Sequence, residues 1–411
     1  MKNKVLFLLV LAALFSACEK QDNTGEPKKI NISKTTEQVI AADNLFGFYL
    51  FQRVLANDTV AGNIFISPTS VALALAMTYN GADGETKAAM EETLRKQGLT
   101  AEQLNQSYKD LMDALVSVDP KVLLEIANSI WYRNDVEVLP EFININRNYY
   151  NAEVNAIVFN DQAKDIINGW VAEKTHDKIT EVLDYIPEDA IMYLINAIYF
   201  KGIWRSEFEK DKTADMPFYL ADGSPVQAPT MQQQDTFRYF RNELMSAVEL
   251  PYGQGNFSMM ILLPNTGKTT GDIVSSLSIE NWNAWMQEFS EQDVVMHLPR
   301  LKFEYKKLLN DDLSDMGMGI AFSDEADFSK IDPTRDLMIS RVIHKTFVEV
   351  NEEGTEAAAV TVVEIVETSI EPGGNDGPVY FYVDRPFLFL IREKDTGAIL
   401  FIGRVMNPLE E

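Results

Sequence analysis

The chain has 411 residues, of which 46% are hydrophobic and 24% charged, and its formal net charge is −26. This is an ordinary globular composition, and a chain of this length can bury a full core as one large domain or two smaller ones. The charge argues against nucleic acid and anionic membrane surfaces as partners and favours encounters with cationic proteins. Solubility alone is the simpler explanation of the same charge.

The N-terminal residues follow the pattern of a secretory signal. Lys2 and Lys4 precede an apolar run, Val5–Leu14, and small residues then lead to Cys18. The apolar run is too short to span a membrane as a helix. Its ending resembles a bacterial lipoprotein signal, which predicts cleavage of residues 1–17 and lipidation of Cys18. Ordinary signal-peptidase cleavage beside an incidental cysteine is the alternative.

Cys18 is the only cysteine, so no disulfide is expected. Residues 18–36 are polar and are predicted to form a flexible tether to a folded body of residues 37–411. The lipid would hold the protein at the outer membrane or surface of a bacterial cell, on its extracellular or periplasmic face. Membrane contact is expected only through this anchor.

Helical patterns dominate the first part of the body and strand patterns the last part. A short strand at Asn63–Ile66 leads into a helix that opens at Ser67, and a second helix follows with Ala88, Met90 and Leu94 facing the core. Further buried strands are predicted at Leu123–Arg133, Met192–Phe200, Ser258–Leu263, Val294–Leu298, Val342–Val350, Val379–Val383, Phe387–Arg392 and Ile399–Val405. This distribution predicts an α+β fold with large sheets.

Residues 351–370 fit both a loop and a strand. Odd positions from 355 to 365 carry no charge, whereas Glu356 and Glu364 stand at even positions. Side chains of a strand alternate between its two faces, so this segment can enter a sheet with its uncharged face buried and its other face in solvent. Gly354 and the three alanines after Glu356 also make a hinge that allows it to stay outside. An amphipathic edge strand is the simpler interpretation, and a conformational switch is the other.

Segments along the chain resemble motifs of the serpin family, in the family's order and over nearly all of residues 38–408. They are Asn63–Met77, Asn168–Leu183, Leu194–Trp204, Leu298–Leu301, Ala326–Ser329, Gly354–Ala359, Asp384–Leu390 and Phe401–Pro408. In the family, Asn168–Leu183 would be the helix that crosses the front of the main sheet. The resemblance implies an α+β serpin fold, with about eight to nine helices around three β-sheets and an exposed reactive-centre loop.

The resemblance also implies an inhibitor and not an enzyme. In the family's known mechanism a serine protease cleaves the loop, and the cleaved loop inserts into the main sheet and carries the acylated protease with it. By resemblance the hinge of the loop consists of Glu352, Gly354, Thr355, Glu356, Ala357, Ala358 and Ala359.

The family's spacing from Glu352 places the reactive bond between Thr368 and Ser369. If the register slips, Val366 or Ile365 becomes the contact residue. These small or aliphatic residues predict serine proteases of elastase-like or subtilisin-like preference. Trypsin-like enzymes are disfavoured because the loop has no lysine or arginine, whereas cysteine proteases are left open.

The stretch Glu371–Pro378 is longer than typical family members carry on this side of the bond, and its role is left open.

Six residues resemble the positions that control opening of the main sheet in the family. They are Ser67, Ser70, Asn196, Trp204, Arg300 and His344. Arg300 is expected to pair with Glu352 at one end of the sheet, with Trp204 packed beside it, and the others are expected to meet at its centre. Without the resemblance, Trp204 is interpreted as a core residue, His344 as a buried imidazole whose hydrogen bonds are made, and Arg300 as a solvated surface cation.

Catalytic patterns are not found in the sequence. The three histidines, His176, His297 and His344, are far apart, and no nucleophile elbow, P-loop or zinc-protease motif occurs. We therefore expect a monomer without cofactor or metal whose partner is a covalently bound serine protease. The alternative is a non-inhibitory serpin-fold surface lipoprotein that acts in adhesion or ligand binding. The small, uncharged hinge favours the inhibitor, because non-inhibitory members commonly carry charged, bulky or proline residues there.

Overall fold

The computed structural model describes residues 28–58, 62–188, 190–334, 336–355 and 377–410. Within these ranges the chain forms nine α-helices and fifteen β-strands. The helices are α1 Lys34–Asn57, α2 Pro68–Tyr79, α3 Gly84–Thr93, α4 Ala101–Leu115, α5 Pro140–Tyr150, α6 Asp161–Lys174, α7 Thr270–Ser276, α8 Ile279–Glu288 and α9 Asn310–Leu313.

The strands form two hydrogen-bonded networks. They are β1 Ile64–Ile66, β2 Val122–Arg133, β3 Glu153–Ile157, β4 Met192–Ile203, β5 Ala214–Tyr219, β6 Pro225–Arg241, β7 Met245–Pro251, β8 Phe257–Pro264, β9 Ser290–Pro299, β10 Leu301–Leu308, β11 Ile343–Asn351, β12 Gly354–Thr355, β13 Val379–Tyr382, β14 Phe387–Glu393 and β15 Ile399–Val405. All the strands predicted from the sequence are present, and the α+β class is confirmed.

The six-stranded main sheet has the order β10-β11-β12-β4-β2-β3. Its pairs are antiparallel except β2 with β3, which is parallel. The strand β4 continues beyond Phe200, where the sequence prediction ended, to Ile203. This extension positions the site, because Gly202 and Ile203 are the residues of β4 that pair with β12.

The nine-stranded network has the order β1-β15-β14-β8-β7-β6-β9-β13, with β5 paired to β6. The strand β6 is 17 residues long. It pairs with β5 near its start, with β9 along its middle and with β7 at its end. Two of the three expected sheets are therefore joined through β6.

An aromatic contact ties the two networks together through β1. The ring of Phe65 stacks on Phe389 and on Phe401, with centroids 5.3 and 5.0 Å apart. Its edge meets Phe303 of the main sheet at 6.3 Å. Buried aromatic rings in such contacts stabilise the fold both through the apolar area that they remove from water and through their mutual attraction. This cluster therefore forms the centre of the core.

The second predicted helix, α3, turns a different face to the core than the sequence indicated. Met90 and Leu94 are buried as expected, but Ala88 is exposed. Thr86 is fully buried instead and its hydroxyl accepts a hydrogen bond from the backbone of Asp327. A short helix with few large apolar residues leaves its rotation undetermined, and this tertiary hydrogen bond decides it.

The folded body begins earlier than the predicted tether boundary at residue 36. Ser33 caps α1 by accepting a hydrogen bond from the backbone of Thr36. Lys28 exchanges two hydrogen bonds with the side chain of Asn256, and the backbone of Ile30 donates to Asp395. Because the polar composition of this segment hides these long-range partners, the prediction of a flexible tether up to residue 36 was wrong from residue 28 onward.

A buried ion pair holds α1 to the segment that follows α3. The Lys96 ammonium lies 2.7 Å from a carboxylate oxygen of Asp43, which also accepts a hydrogen bond from the Tyr108 hydroxyl. Lys96 is 2% exposed and Asp43 5%. Burial raises the pKa of Asp43 and lowers that of Lys96, although the attraction between them opposes both shifts.

We predict that Lys96→Met lowers the free energy of unfolding by about 3–5 kcal/mol, because it leaves a buried carboxylate without its cation. The double variant Asp43→Leu/Lys96→Met should recover most of that loss. Lys109→Ala, which removes an exposed pair with Asp113, is the matched control and should cost at most about 0.5 kcal/mol. Urea unfolding measures all three, and equal losses in Lys96→Met and the control would contradict the argument.

Candidate functional site at the hinge of the main sheet

The hinge predicted from the sequence begins inside the main sheet. The two residues of β12 lie between β11 and β4 and run antiparallel to both. Thr355 is opposite Val350 on one side and Gly202 on the other, and it is 4% exposed. The prediction of an exposed loop is therefore corrected for Gly354 and Thr355, since the extended ends of β11 and β4 provide them with pairing partners on both edges.

The rest of the predicted loop lies outside the described residues. This concerns the hinge residues Glu356, Ala357, Ala358 and Ala359, the reactive-bond residues Thr368 and Ser369, and the alternatives Val366 and Ile365. The lipidation residue Cys18 also lies outside them.

Gly354 makes the entry of the hinge into the sheet sterically possible. Its φ is +155°, and an added Cβ would lie 2.0 Å from the carbonyl oxygen of Gly202 and 2.8 Å from Cα of Ile203. Both obstacles are backbone atoms, which cannot rotate away as a side chain can. Only glycine therefore fits at this position of β12.

Thr355 is fixed by a tyrosine that the sequence analysis did not identify. The hydroxyls of Thr355 and Tyr252 are 2.5 Å apart, and burial raises the pKa of Tyr252, so that its hydroxyl is neutral. The ring of Tyr252 stacks on Trp204, with centroids 4.4 Å apart and planes at 11°. The Trp204 indole donates to the carbonyl of Asn351, the last residue of β11, at 2.9 Å. Trp204 thus packs at the hinge, as predicted.

The predicted ion pair between Arg300 and Glu352 is present. Nε of Arg300 donates to both carboxylate oxygens, at 2.8 and 3.0 Å, and Nη2 donates to Oε1 at 2.5 Å. The Thr213 hydroxyl donates to the same Oε1. Glu352 is 3% exposed, and although burial alone would raise its pKa, the hydrogen bonds from Arg300 and Thr213 hold that pKa below its usual range. The carboxylate therefore stays ionised and fixes the start of the hinge.

Below the hinge, β11 and β4 face each other without pairing. Within the described ranges β11 pairs with β10 and β12, and β4 pairs with β2 and β12, but no register joins β4 to β11. The described side chains of these two strands border a cleft of about 370 Å³. A smaller space of about 30 Å³ lies nearer the hinge, beside Thr355, Phe347 and Tyr199. The arrangement presents two facing backbone edges of the kind that a further strand satisfies.

The N-terminus of α2 lies at the base of this cleft and contacts both strands. The backbone N–H of Ser67 donates to Nε2 of His344 on β11 at 2.9 Å. The Ser70 hydroxyl donates to the carbonyl of Asn196 on β4 at 3.4 Å. The Asn196 side chain in turn donates to Asn128 on β2 at 2.8 Å. The four residues predicted to meet at the centre of the sheet are thus brought together, and one helix end holds the two separated strands.

The helix α6 and the turn after it cover the front of the cleft. Val171, Ile179 and Leu183 form a buried apolar cluster with strand residues that include Ala197. Asn168 fixes the turn, because its side chain donates to the carbonyl of Leu183 and accepts from the backbone of Val182 and Leu183. The segment Asn168–Leu183 does cross the front of the sheet, but its helix ends at Lys174 and the remainder is a turn.

Tyr252, Thr213 and Asn128 belong to the site but were missed by the sequence analysis. Each acts through a hydrogen bond to a residue far away in sequence, as Thr213 does to Glu352. Tyr252 carries a faint signal, since it stands between a proline and a glycine at the end of a strand-like run.

Two other kinds of site, a metal centre and a membrane-spanning helix, are not found among the described residues. No group of three or more His, Cys, Asp or Glu side chains in these ranges could hold a metal ion. No helix in them is long and apolar enough to cross a membrane. The three histidines stay apart: His176 contacts Glu125, His297 stacks on Tyr382, and His344 meets Ser67.

Comparison with known proteins identifies the family. Residues 41–408 match the family Serpin (serine protease inhibitor). The chain is 36% identical over 385 residues to the leukocyte elastase inhibitor of Sus scrofa, covering 90% of this chain and 100% of that protein. The thermophilic serpin tengpin in its native state superimposes with a TM-score of 0.81 at 32% identity, covering 92% of this chain and 96% of tengpin. Human thyroxine-binding globulin in complex with its ligand gives a TM-score of 0.81 at 28% identity, over 91% and 99% of the two chains.

The chain therefore belongs to the serpin family of protease inhibitors, and the predicted serpin fold is confirmed.

His344 generates a prediction about pH. Burial lowers its pKa to about 4, and its Nε2 accepts a hydrogen bond, so the folded state holds the imidazole neutral. An unfolded chain protonates a histidine near pH 6.5. Between these two values the unfolded state binds one more proton, so the free energy of unfolding falls as the pH is lowered through this window.

When the pH is lowered from 7 to 5, we expect the free energy of unfolding of the wild type to fall by roughly 2 kcal/mol more than that of His344→Gln, which lacks the titrating group. Urea unfolding at the two pH values measures the difference. The same pH dependence in both proteins would show that His344 is not the group responsible.

Proposed function

We propose that this serpin is a suicide-substrate inhibitor of serine endopeptidases with elastase-like or subtilisin-like preference. The observation that carries the proposal is the position of β12, which begins a strand between β11 and β4 where these two have no register of their own. Cleavage of the loop would release its N-terminal arm to continue this strand and to draw the acylated protease along. Acyl transfer occurs on the serine of the protease, so the inhibitor itself supplies only the scissile bond.

The pairing register of β12 supports this interpretation. Extending it by whole residues would place Ala357 opposite Val348 and Thr361 opposite His344, both of which are buried. Paired residues in antiparallel strands point to the same face. The uncharged odd positions would then face the core, and the charged Glu356 and Glu364 would face outward. The alternation of the sequence therefore agrees with the register that the hinge has already set.

The free energy gained by inserting the cleaved arm is large enough to deform a bound protease. A strand inserted between two unpaired edges gains hydrogen bonds worth about 1 kcal/mol each, and each buried aliphatic side chain adds roughly 1.5–3 kcal/mol. Over the arm the sum is on the order of 10–20 kcal/mol before the entropy of ordering is subtracted. A typical domain is stable by only about 5–15 kcal/mol. The gain is thus comparable with the work of deforming a captured protease.

The target preference rests on the predicted bond between Thr368 and Ser369. A threonine before the bond fits a small primary pocket, and the similarity to a leukocyte elastase inhibitor agrees with an elastase-like partner. Val366 or Ile365 as the contact residue would give a similar preference.

The test is complex formation with pancreatic elastase and with subtilisin, read as an SDS-stable band on a gel. Wild type and Thr355→Ser should both form it, since serine keeps the hydroxyl that meets Tyr252. Thr355→Arg should be cleaved at the same bond without forming a complex, because a cation would have to enter a site that is 4% exposed. Mass spectrometry of the released fragment locates the bond.

Clean cleavage of the wild type by both proteases, without a complex, would refute the inhibitory proposal and leave the non-inhibitory alternative. Human thyroxine-binding globulin, whose structure was solved as a complex with its ligand, shows that a similar fold can bind a ligand. A complex formed equally well by Thr355→Arg would instead contradict the insertion step alone.

We further propose that the protein is anchored to the bacterial outer membrane or cell surface through lipid on Cys18. The signal-like N-terminus and the single cysteine support this proposal. The described chain begins at Lys28, so the ten residues from Cys18 to Pro27 would span at most about 35 Å when extended. Such a tether would hold the body close to the membrane.

Cys18→Ser, expressed from its natural leader, should move from the detergent phase to the aqueous phase in a Triton X-114 partition. Asp22→Asn, a change in the same polar segment, is the control and should stay in the detergent phase. Aqueous partitioning of the wild type would exclude the anchor.

A further inference from the structure

The turn that follows α6 lies across the path of the strand that the proposed function requires. Continuing β12 beyond Thr355 leads between Val348 of β11 and Phe200 of β4. Residues of the turn border the space at this point, which is only about 30 Å³ and has room for about two water molecules. The turn therefore has to lift before the arm can continue β12.

Side chains at alternate positions hold this turn to three strands of the main sheet. The three pairs are Lys174 with Glu153 of β3 at 2.9 Å, His176 with Glu125 of β2 at 2.6 Å, and Lys178 with Glu349 of β11 at 3.7 Å. We call residues 174–178 the strap. Exposed ion pairs are individually weak, so the strap can be released, and the ease of its release depends on each pair.

The backbone of the strap depends on the contacts of one histidine. The φ angles of His176 and Asp177 are +50° and +61°. The left-handed region is uncommon for residues other than glycine, and two such residues in succession strain the turn. The ring of His176 packs over Tyr199 of β4, with centroids 4.3 Å apart. This ring contact and the pair with Glu125 hold the strained turn down on a strand that borders the path.

The middle pair of the strap also responds to pH. A histidine changes its charge between about pH 5 and 8, whereas lysine and glutamate keep theirs. Protonation of His176 turns its hydrogen bond to Glu125 into an ion pair, which is stronger. The charged or titratable groups around His176 are Glu125 on β2, Tyr199 on β4, Glu349 on β11 and its chain neighbours Glu173, Lys174, Asp177 and Lys178. A lower pH therefore tightens the strap.

The other histidine near the path does not change its charge in this window. Burial lowers the pKa of His344 to about 4, so its imidazole stays neutral in the folded protein between about pH 5.5 and 8. A change of insertion rate across this window consequently points to the strap and not to the base of the cleft.

We propose that His176 and Glu125 are positioning residues that set the partition of the loop between insertion and simple cleavage, and that protonation of His176 shifts this partition towards cleavage. This inference rests on the proposed inhibitory function. Insertion of the arm competes with hydrolysis, in which water adds to the acyl carbon, the ester bond to the protease serine breaks and the serine oxygen regains a proton. A tighter strap slows insertion and leaves hydrolysis unchanged, so more molecules are cleaved without trapping.

The direct test measures how fast the full chain takes up a fluorescein-labelled peptide with the sequence of residues 356–368, followed by anisotropy. We expect the wild type to take up the peptide about threefold more slowly at pH 5.5 than at pH 8, since the pair is half-exposed. His176→Gln and Glu125→Gln should each have similar rates at the two pH values. His176→Lys, which keeps a positive charge, should be slow at both.

His297→Gln is the matched control, because it removes a histidine that stacks on Tyr382 and borders neither the cleft nor the space beside Thr355. It should show the wild-type ratio of rates. The same ratio in His176→Gln, or equal rates at both pH values in the wild type, would overturn the inference. Absence of uptake by the wild type at both pH values would overturn it together with the insertion step.

Complex formation separates this inference from the proposed function. With the enzyme that is trapped, pancreatic elastase or subtilisin, the number of inhibitor molecules consumed per trapped enzyme should be higher for the wild type than for His176→Gln at pH 5.5 and similar at pH 8. Comparing variants at one pH removes the pH dependence of the enzyme itself. If neither enzyme forms a complex while the peptide rates follow the expected pattern, the proposed target is wrong and the role of the strap stands.

Discussion

The architecture depends on the separation of two strands of the main sheet, β4 and β11, which among the described residues are joined only through the hinge. The strands β4 and β11 each have a satisfied outer neighbour, and between them only Gly354 and Thr355 supply hydrogen bonds within the described chain. Unpaired strand edges are costly in a protein interior and are strong templates for a further strand. The rest of the site holds this arrangement: Glu352 and Arg300 fix the start of the hinge, and Tyr252 fixes its first buried side chain.

Contacts at the other end of the cleft belong to a different part of the chain and act on both strands at once. Ser67 caps the N-terminus of α2 and Ser70 lies in its first turn. Each bonds to a different strand, Ser67 to His344 of β11 and Ser70 to Asn196 of β4. A rigid helix end with a partner on each side sets the separation of the strands. The contacts are few and neutral, so a modest change in free energy can alter that separation.

Much of the fold and of the hinge site was predictable from the sequence, because these features depend on the local pattern of residues. The alternation of uncharged and charged residues from Thr355 onward predicted which face of the segment would be buried. The burial of Thr355 opposite Val350 agrees with this prediction. The pair Arg300–Glu352 was predicted through the family resemblance. The entry of β12 into the sheet was not predicted, since it depends on how far β4 extends, and a strand end shows no signal when glycine and a tryptophan follow. Tyr252 was missed for a related reason, because its role rests on a partner more than a hundred residues away.

The stacked pair of Trp204 and Tyr252 has a practical consequence. The indole is 3% exposed, and the tyrosine against it holds the hinge threonine by its hydroxyl. Withdrawal of the hinge from the sheet would change the polarity around this one indole directly. Four other tryptophans, Trp131, Trp170, Trp282 and Trp285, also emit. A variant that keeps only Trp204 would therefore let its emission report the position of the hinge without any added label.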